Sequence, residues 1–233
     1  MVAPESPENE GRPGTAIPLS HNTYCTGLYS TVFRGNLFLH QRSEDVSNVY
    51  AISLGFHTFG EYKGTGVHVR NVVIENNIAH GLKSNGSALV LSDLGTLRNV
   101  LIRGNHFQMP GMDTRLVKLE GKDHSGLKFS GNTYYSDAAK DGWFSLDGKP
   151  MDIGQWRKAS GEPNAQAKQI HYPDDTRNIQ NYMKHLGLEP TREAFYAEIR
   201  KQCKAYWRPE FTAPVINDWM RAGFGMERTE KKP

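Results

Sequence analysis

Asn71-Val72-Val73-Ile74-Glu75-Asn76-Asn77 and Asn99-Val100-Leu101-Ile102-Arg103-Gly104-Asn105 are two copies of one pattern. Each is a short strand closing on a turn that ends in Asn. Val32-Phe33-Arg34-Gly35-Asn36 and Lys128-Phe129-Ser130-Gly131-Asn132 extend the set, and the final Asn residues stand 41, 28 and 27 positions apart. A second column lies between them: Ala51-Ile52-Ser53-Leu54, Leu89-Val90-Leu91-Ser92, Val117-Lys118-Leu119-Glu120 and Phe144-Ser145-Leu146-Asp147. Ile52, Leu89, Val117 and Phe144 are 37, 28 and 27 apart. Two columns that share the 28 and 27 spacing mark an internal repeat.

The physical reading is a coil with at least two strands per turn, each turn stacked on the next. Period-two alternation sends one face of each strand inward. Val72, Ile74, Val100, Ile102, Leu127 and Phe129 point in from the first column. Ile52, Leu54, Leu89, Leu91, Val117, Leu119, Phe144 and Leu146 point in from the second. Asn36, Asn77, Asn105 and Asn132 fall at one turn of every repeat. An Asn there can take left-handed backbone angles, and its amide can bond to the next turn's Asn. Such a structural ladder satisfies polar groups that are costly to bury unpaired. The alternative is four unrelated strand-turn pairs in a sandwich, which needs no equal spacing.

These N-V-x-I-x-x-N units resemble the right-handed parallel β-helix repeats of the pectate-lyase-like superfamily, over roughly residues 20 to 150. The resemblance implies a mainly β chain: a short right-handed parallel β-helix of about four rungs, with a C-terminal α-helical cap. It also implies a bacterial secreted protein, extracellular or periplasmic, acting on or binding polysaccharide. It does not choose an activity, because this fold hosts lyases, hydrolases, epimerases and non-catalytic spikes. From Trp143 onward the chain resembles the C-terminal region of bacterial secreted β-helix proteins. Gly148-Lys149 to Trp156, Trp207-Arg208-Pro209-Glu210-Phe211-Thr212 and Arg221-Ala222-Gly223-Phe224-Gly225 carry that likeness. Such relatives tend to have more rungs, so this chain reads as a truncated or naturally short form.

The organisation that follows is a disordered leader (1–18), the parallel β-helix (19–150), a linker with a short helix (151–173), the helical cap (174–225) and a disordered tail (226–233). The short helix is placed at Ile153–Ala159. Three more follow: from Asp174 to about His185, from the Thr191 cap to about Tyr206, and over Ala213–Arg221. Trp207, Trp219, Phe195 and Ile199 are expected to be buried against the coil.

Composition sets limits. Charged residues are 23% and hydrophobic ones 37% of 233, which excludes collagen, coiled coil and wholesale disorder. A net charge of +3 is too small to imply nucleic acid. No apolar run reaches the roughly 18 residues of a membrane span. Cys25 and Cys203 are the two cysteines and make neither a metal site nor a disulfide framework. The acidic, Pro-rich N-terminus lacks the apolar region of a secretory signal. Either the protein stays inside the cell or upstream sequence is missing.

Chemistry is harder to read. The N-T-D, G-H-G and R-I-K signatures of polygalacturonases are absent, as is the W-x-D-H element of pectate lyases. Three constellations remain. The step from Ile52 to Ile74 is 22 positions, against 13 and 12 in later repeats, so about ten extra residues form a loop within 55–68. His57, Tyr62, Lys63 and His68 could act there as acid, base and cation of a polysaccharide lyase. Glu61 could bind substrate beside them, and Arg70 and Arg98 would extend a groove for an anionic glycan. The other reading of this loop is an exposed polar segment. A second set, Ser92-Asp93, Glu120 and Asp147, ends the second column. Glu120 and Asp147 could serve a glycosidase or hold Ca²⁺, or be solvated turn carboxylates. The third, Arg34, Glu75 and Arg103, reads first as a surface ion-pair ladder. The leading expectation is a polysaccharide lyase or glycosidase-like protein acting on or binding an acidic polysaccharide. The competing one is a non-catalytic structural or glycan-binding module, from a longer protein or alone.

Overall fold

A computed structural model describes residues 24–25, 28–39, 50–54, 69–82, 87–93, 97–111, 115–121 and 123–227. Over these residues the chain is mainly β, with parallel sheets and four α-helices. It opens with β1 (Tyr24–Cys25), β2 (Leu28–Tyr29), β3 (Val32–Arg34), β4 (Leu37–Leu39) and β5 (Ile52–Leu54). The next circuit holds β6 (Val69–Glu75), β7 (Ile78–His80) and β8 (Ser87–Asp93). It is followed by β9 (Leu97–Arg103), β10 (His106–Met109) and β11 (Arg115–Gly121), then by β12 (Leu127–Ser130), β13 (Thr133–Ser136) and β14 (Phe144–Leu146). After these come β15 (Lys149–Met151), α1 (Ile153–Ser160) and β16 (Gln166–Ala167).

Three sheets result. Their orders are β1-β5-β8-β11-β14-β15, β16-β13-β10-β7-β4 and β12-β9-β6-β2, with β3 also pairing β6. From β3 to β14 the chain visits them in fixed rotation. Every pairing is parallel except β14 with β15. The expected inward columns are the core. Val72, Ile74, Val100, Ile102, Leu89, Leu91 and Val117 are fully buried, and Leu127 and Phe129 nearly so.

The third sheet, β4-β7-β10-β13, was not separated in the sequence reading. It supplies the inward column Phe38, Ala79, Phe107 and Tyr134, in register across four strands. Phe107 and Tyr134 stack at 5.6 Å between centroids. Both faces of β7 and β10 are buried, for His80 and Gln108 are 4% and 1% exposed. With Leu37, Leu39 and Ile78 apolar on the outer face as well, β4 and β7 lack the apolar–polar alternation by which a strand is recognised.

The Asn turn connects the strands before it to the third sheet. The backbone N–H and Nδ2 of Asn36 both donate to Asn77 Oδ1, at 2.9 Å each. Asn77 donates in the same way to Asn105 Oδ1, and Asn105 to Asn132 Oδ1. The second amide hydrogen goes to a backbone carbonyl: Asn77 to Phe33, Asn105 to Ile74, Asn132 to Ile102. Only the amide oxygen can accept a backbone N–H, so the pattern fixes the orientation of each side chain. The left-handed residue is the one before the ladder Asn. Gly35, Asn76, Gly104 and Gly131 have φ of 62°, 53°, 61° and 64°. This corrects the expectation that the ladder Asn itself takes those angles. The sharp bend one residue earlier leaves the ladder Asn free to aim inward. At Gly104 a Cβ would also meet Asn76 Oδ1 at 2.5 Å, so a side chain there would need Asn76 to move as well as a left-handed backbone.

The last Asn finds no fifth Asn. Glu162 takes the place, 0% exposed, and its Oε1 accepts from Asn132 N at 2.9 Å and Nδ2 at 2.7 Å. Its Oε2 accepts from Tyr134 OH at 2.9 Å and Trp156 Nε1 at 3.2 Å. Burial, and then Glu162, push the Tyr134 hydroxyl well above its usual range. Trp156 lies on α1, stacked on Phe144 at 4.7 Å and edge-on to Phe129 at 5.1 Å. It covers the inner end of the columns. Asp152 and Gln155 form a capping box at the start of α1, and Gly161 ends it at φ 67°. β16 then adds to β13 in the parallel register of a further turn. So the stretch expected as a linker with a short helix holds that helix and also closes the sheets.

Residues 169–233 form a second unit. Its helices are α2 (Ile179–His185), α3 (Arg192–Arg200) and α4 (Ala213–Gly223). Tyr182, Met183, Phe195 and Phe211 make its core. α2 starts later than expected, because Asp174 binds Thr176 and Arg177 in a turn and Asn178 is the cap. α3 ends at Arg200, short of Tyr206. Gly223 is required by close approach: a Cβ would meet Asp174 O at 2.5 Å. Of these four residues Phe195 is buried in this unit's own core, Trp207 and Ile199 are 63% and 38% exposed, and Trp219 is half-buried. The leader 1–18 lies outside the described residues, as does the tail beyond Glu227.

Two stability measurements test the ladder. Asn105→Leu should destabilise by about 1–3 kcal/mol for each buried group left unpaired, read from urea melts. Glu162→Ala should be at least as damaging, while Glu162→Gln should lose less, since one oxygen still serves Asn132. In the Gln variant Trp156 Nε1 faces an NH₂ group, so Trp156→Phe should cost less there than in the wild type. Additive effects would mean that the two side chains do not act on each other.

Candidate functional site

The loop residues proposed for catalysis, His57, Tyr62, Lys63 and His68, and Glu61 beside them, lie outside the described residues. The stretch they occupy leads directly into β6. Two residues expected to bind substrate, Arg70 and Arg98, are on β6 and β9 and are register partners. Both are exposed, on the outer face of the sheet.

Their outward direction has a local cause. Counting back from inward Val72 by strict alternation would turn Arg70 inward. Asn71 and Asn99 instead take φ of 55° and 53°. That kink resets the alternation, so Val69 points in and both Arg70 and Asn71 point out. β9 repeats this with Leu97, Arg98 and Asn99. The two kinks are tied together by Asn99 Nδ2 donating to Asn71 Oδ1 at 2.8 Å. Ser30 has the same backbone, φ 49°, and Tyr29 before it pairs with Arg70. Tyr29, Arg70 and Arg98 therefore form one column. Tyr29 was not recognised from sequence. The signal was there in the aligned dipeptides Tyr29-Ser30, Arg70-Asn71 and Arg98-Asn99.

Further along the strands a second column is Val32, Val73, Leu101 and Lys128, and a third is Arg34, Glu75, Arg103 and Ser130. In the third, Arg34 Nε and Arg103 Nε both donate to Glu75, the latter at 2.6 Å. Glu75 is 3% exposed, while the two arginine side chains are 65% and 52% exposed. The hydrogen bonds from Arg103 and then Arg34 hold its carboxyl below the usual value of 4.5. This is the ion-pair ladder expected from the sequence. The face as a whole carries Arg34, Arg70, Arg98, Arg103 and Lys128 against Glu75. Its net +4 exceeds the +3 of the full chain.

Among the described residues, neither Arg70 nor Arg98 lies within ion-pair distance of a carboxylate. Asp123 is near enough to Arg98 for a weak attraction; its carboxyl is held low first by hydrogen bonds from Ser125. Like charges opposite each other on neighbouring strands, about 4.8 Å apart, repel. An anion laid across both relieves that repulsion. Tyr29, 61% exposed, offers a flat ring at the end of the same column.

The proposed acidic set is divided between other partners. Glu120 Oε1 lies 2.6 Å from Lys118 Nζ, and its Oε2 accepts from Ser92 Oγ at 3.1 Å. Asp147 Oδ1 accepts from Gly121 N at 2.7 Å, and its Oδ2 is 3.5 Å from His124 Nε2. No group of three or more His, Cys, Asp or Glu residues able to hold a metal occurs among the described residues. The shared direction of β8, β11 and β14 sets Ser92, Glu120 and Asp147 at one sheet end, where Lys118 and Ser92 meet Glu120 and Gly121 and His124 meet Asp147. Nearby, a cavity of about 30 Å³ is walled by Leu119, Leu127, Phe129, Leu146 and Trp156, with His124 at its side. It has room for little more than a water molecule.

Glu75 makes a pH prediction. Its folded pKa is depressed, so the stability it contributes is present above the unfolded value near 4.5 and is lost as pH falls through the folded pKa. Glu75→Gln should flatten the acid limb of a stability-versus-pH curve and leave the neutral region's slope unchanged. An unaltered acid limb would show that Glu75 has no such linkage.

No protein-family model, no curated protein and no solved structure matches this chain.

Proposed function

We propose that this chain is a short right-handed parallel β-helix of the pectate-lyase-like kind that binds an acidic polysaccharide along the outer face of β2, β6, β9 and β12. The supporting observation is the in-register pair Arg70 and Arg98, with no described carboxylate within ion-pair distance and Tyr29 alongside. Repeating carboxylates of a uronate chain would meet guanidinium groups repeated at strand spacing. The aromatic ring would lie against a sugar's apolar face. Polysaccharide of this kind suits an extracellular or periplasmic setting.

A catalytic extension of this reading is a polysaccharide lyase. The observation favouring it is connectivity. The segment with His57, Tyr62, Lys63 and His68 ends one residue before β6, whose second residue is Arg70. A glycan held by Arg70 would pass close to that segment's end. Tyr or Lys could remove the proton α to a carboxylate, and His could protonate the leaving oxygen. The C4–O bond would break as the C4–C5 double bond forms.

Binding to polygalacturonate and to neutral dextran, followed by affinity electrophoresis at two salt concentrations, tests the proposal. Wild type should be retarded by polygalacturonate alone, and less so at high salt. Arg70→Ser with Arg98→Ser should weaken retention roughly tenfold. Equal retention by dextran, or an unaffected double variant, would refute it. Absorbance of the unsaturated product in the same samples tests the lyase extension, with His57→Ala, Tyr62→Phe and Lys63→Ala expected to abolish turnover while binding persists.

A further inference from the structure

The helical unit exposes three aromatic rings that its own core does not use. Tyr196, Tyr206 and Trp207 are 54%, 72% and 63% exposed. The same unit buries Tyr182, Phe195, Phe211 and Phe224. Neither Tyr206 nor Trp207 stacks on another ring among the described residues. Tyr and Trp, with an apolar ring and a polar end, are enriched at surfaces that are covered on binding.

The backbone beside Trp207 is nonetheless fixed. Arg208 N donates to Gln202 Oε1 at 3.0 Å, and Tyr206 N donates to Cys203 O at 3.0 Å. The Arg208 guanidinium bonds Glu198 at 2.9 Å and Glu210 at 2.7 Å, and lies 4.8 Å over the Phe211 ring. An exposed ring on a held backbone is pre-organised: little conformational freedom is lost when a ligand covers it.

The surrounding charge is positive. Lys201 is paired with Glu198, and Arg208 with Glu198 and Glu210. Arg200 and Lys204 are exposed, with no carboxylate within ion-pair distance among the described residues. The segment 196–208 therefore offers three rings and two uncompensated cations. Its charge has the sign of the face around Arg70 and Arg98.

We infer that Tyr206 and Trp207, with Arg200 and Lys204, form a second contact for an acidic polysaccharide, the rings stacking on sugar faces and the cations meeting uronate carboxylates. This rests on the reading of the chain as an acidic-glycan binder. A single-stranded nucleic acid could also use rings and cations, but it is disfavoured by a full-chain net charge of only +3.

Tryptophan emission tests this directly on the full chain. Trp143 and Trp156 are 3% and 0% exposed and Trp219 is half-buried, so Trp207 is the tryptophan most open to a quencher. Polygalacturonate should blue-shift the emission and reduce acrylamide quenching, and Trp207→Phe should remove that response. Trp207→Ala should weaken polygalacturonate binding roughly three- to tenfold, as should Arg200→Ser with Lys204→Ser. Suppose wild type binds polygalacturonate in electrophoresis while Trp207 stays equally quenchable and Trp207→Ala binds normally. The inference then falls and the sheet-face reading stands. If wild type binds no acidic glycan at all, the underlying reading falls, and this one with it. Protection of Trp207 by a single-stranded oligonucleotide that displaces polygalacturonate would overturn it in favour of nucleic acid.

Discussion

A buried primary amide can be satisfied only if two donors and an acceptor all find partners, and this chain solves that problem by repetition. Asn77 and Asn105 each hand their backbone N–H and one side-chain hydrogen to the oxygen of the next Asn, and Asn132 hands its own to Glu162, while the other hydrogen of each goes to a carbonyl. Asn77, Asn105 and Asn132 are 3%, 0% and 0% exposed, so an unmet group would have no water to turn to. The 28- and 27-residue spacing follows from this. A one-residue slip would move an Asn off its partner and turn an apolar column outward at once. Local geometry, sheet register and core packing therefore depend on the same turn.

The ladder also dictates how the sheets end. A column that passes donors forward must finish on a group that accepts and asks for nothing in return. Glu162 does this, and by taking Tyr134 and Trp156 as further donors it ties the polar column to the aromatic plug over the core. The plug and the terminator come from α1 and the residues just after it. Closure is thus achieved within the first unit by about fifteen residues.

The parts legible in the sequence were those governed by strict periodicity. Val72, Val100 and Leu127, or Leu89 and Val117, are apolar at the repeat interval, and burial follows. The ladder was equally plain because four Asn residues shared an offset. The third sheet was hidden because Leu37, Leu39 and Ile78 are apolar on its outer face, which erases the alternation in β4 and β7. Glu162 was hidden because it stands 30 residues after Asn132 and is a different residue type doing the same job. At the candidate site, Arg70 and Arg98 were identifiable as cations at equal offsets. What made them face outward, the left-handed Asn71 and Asn99, could not be derived from alternation, which gave the opposite direction. Tyr29 was obscured for the same reason. The helices were located by their apolar spacing, but α2 began late because Asp174 and Thr176 bond each other instead of the helix end.

The ladder's traffic runs one way. Each step passes hydrogen forward, from Asn36 through Asn77, Asn105 and Asn132 to Glu162, which holds four donors and gives none back. The row of amides thus has a direction across the sheets, at right angles to the direction that the parallel strands share, and the two together leave each turn only one way to lie on the next.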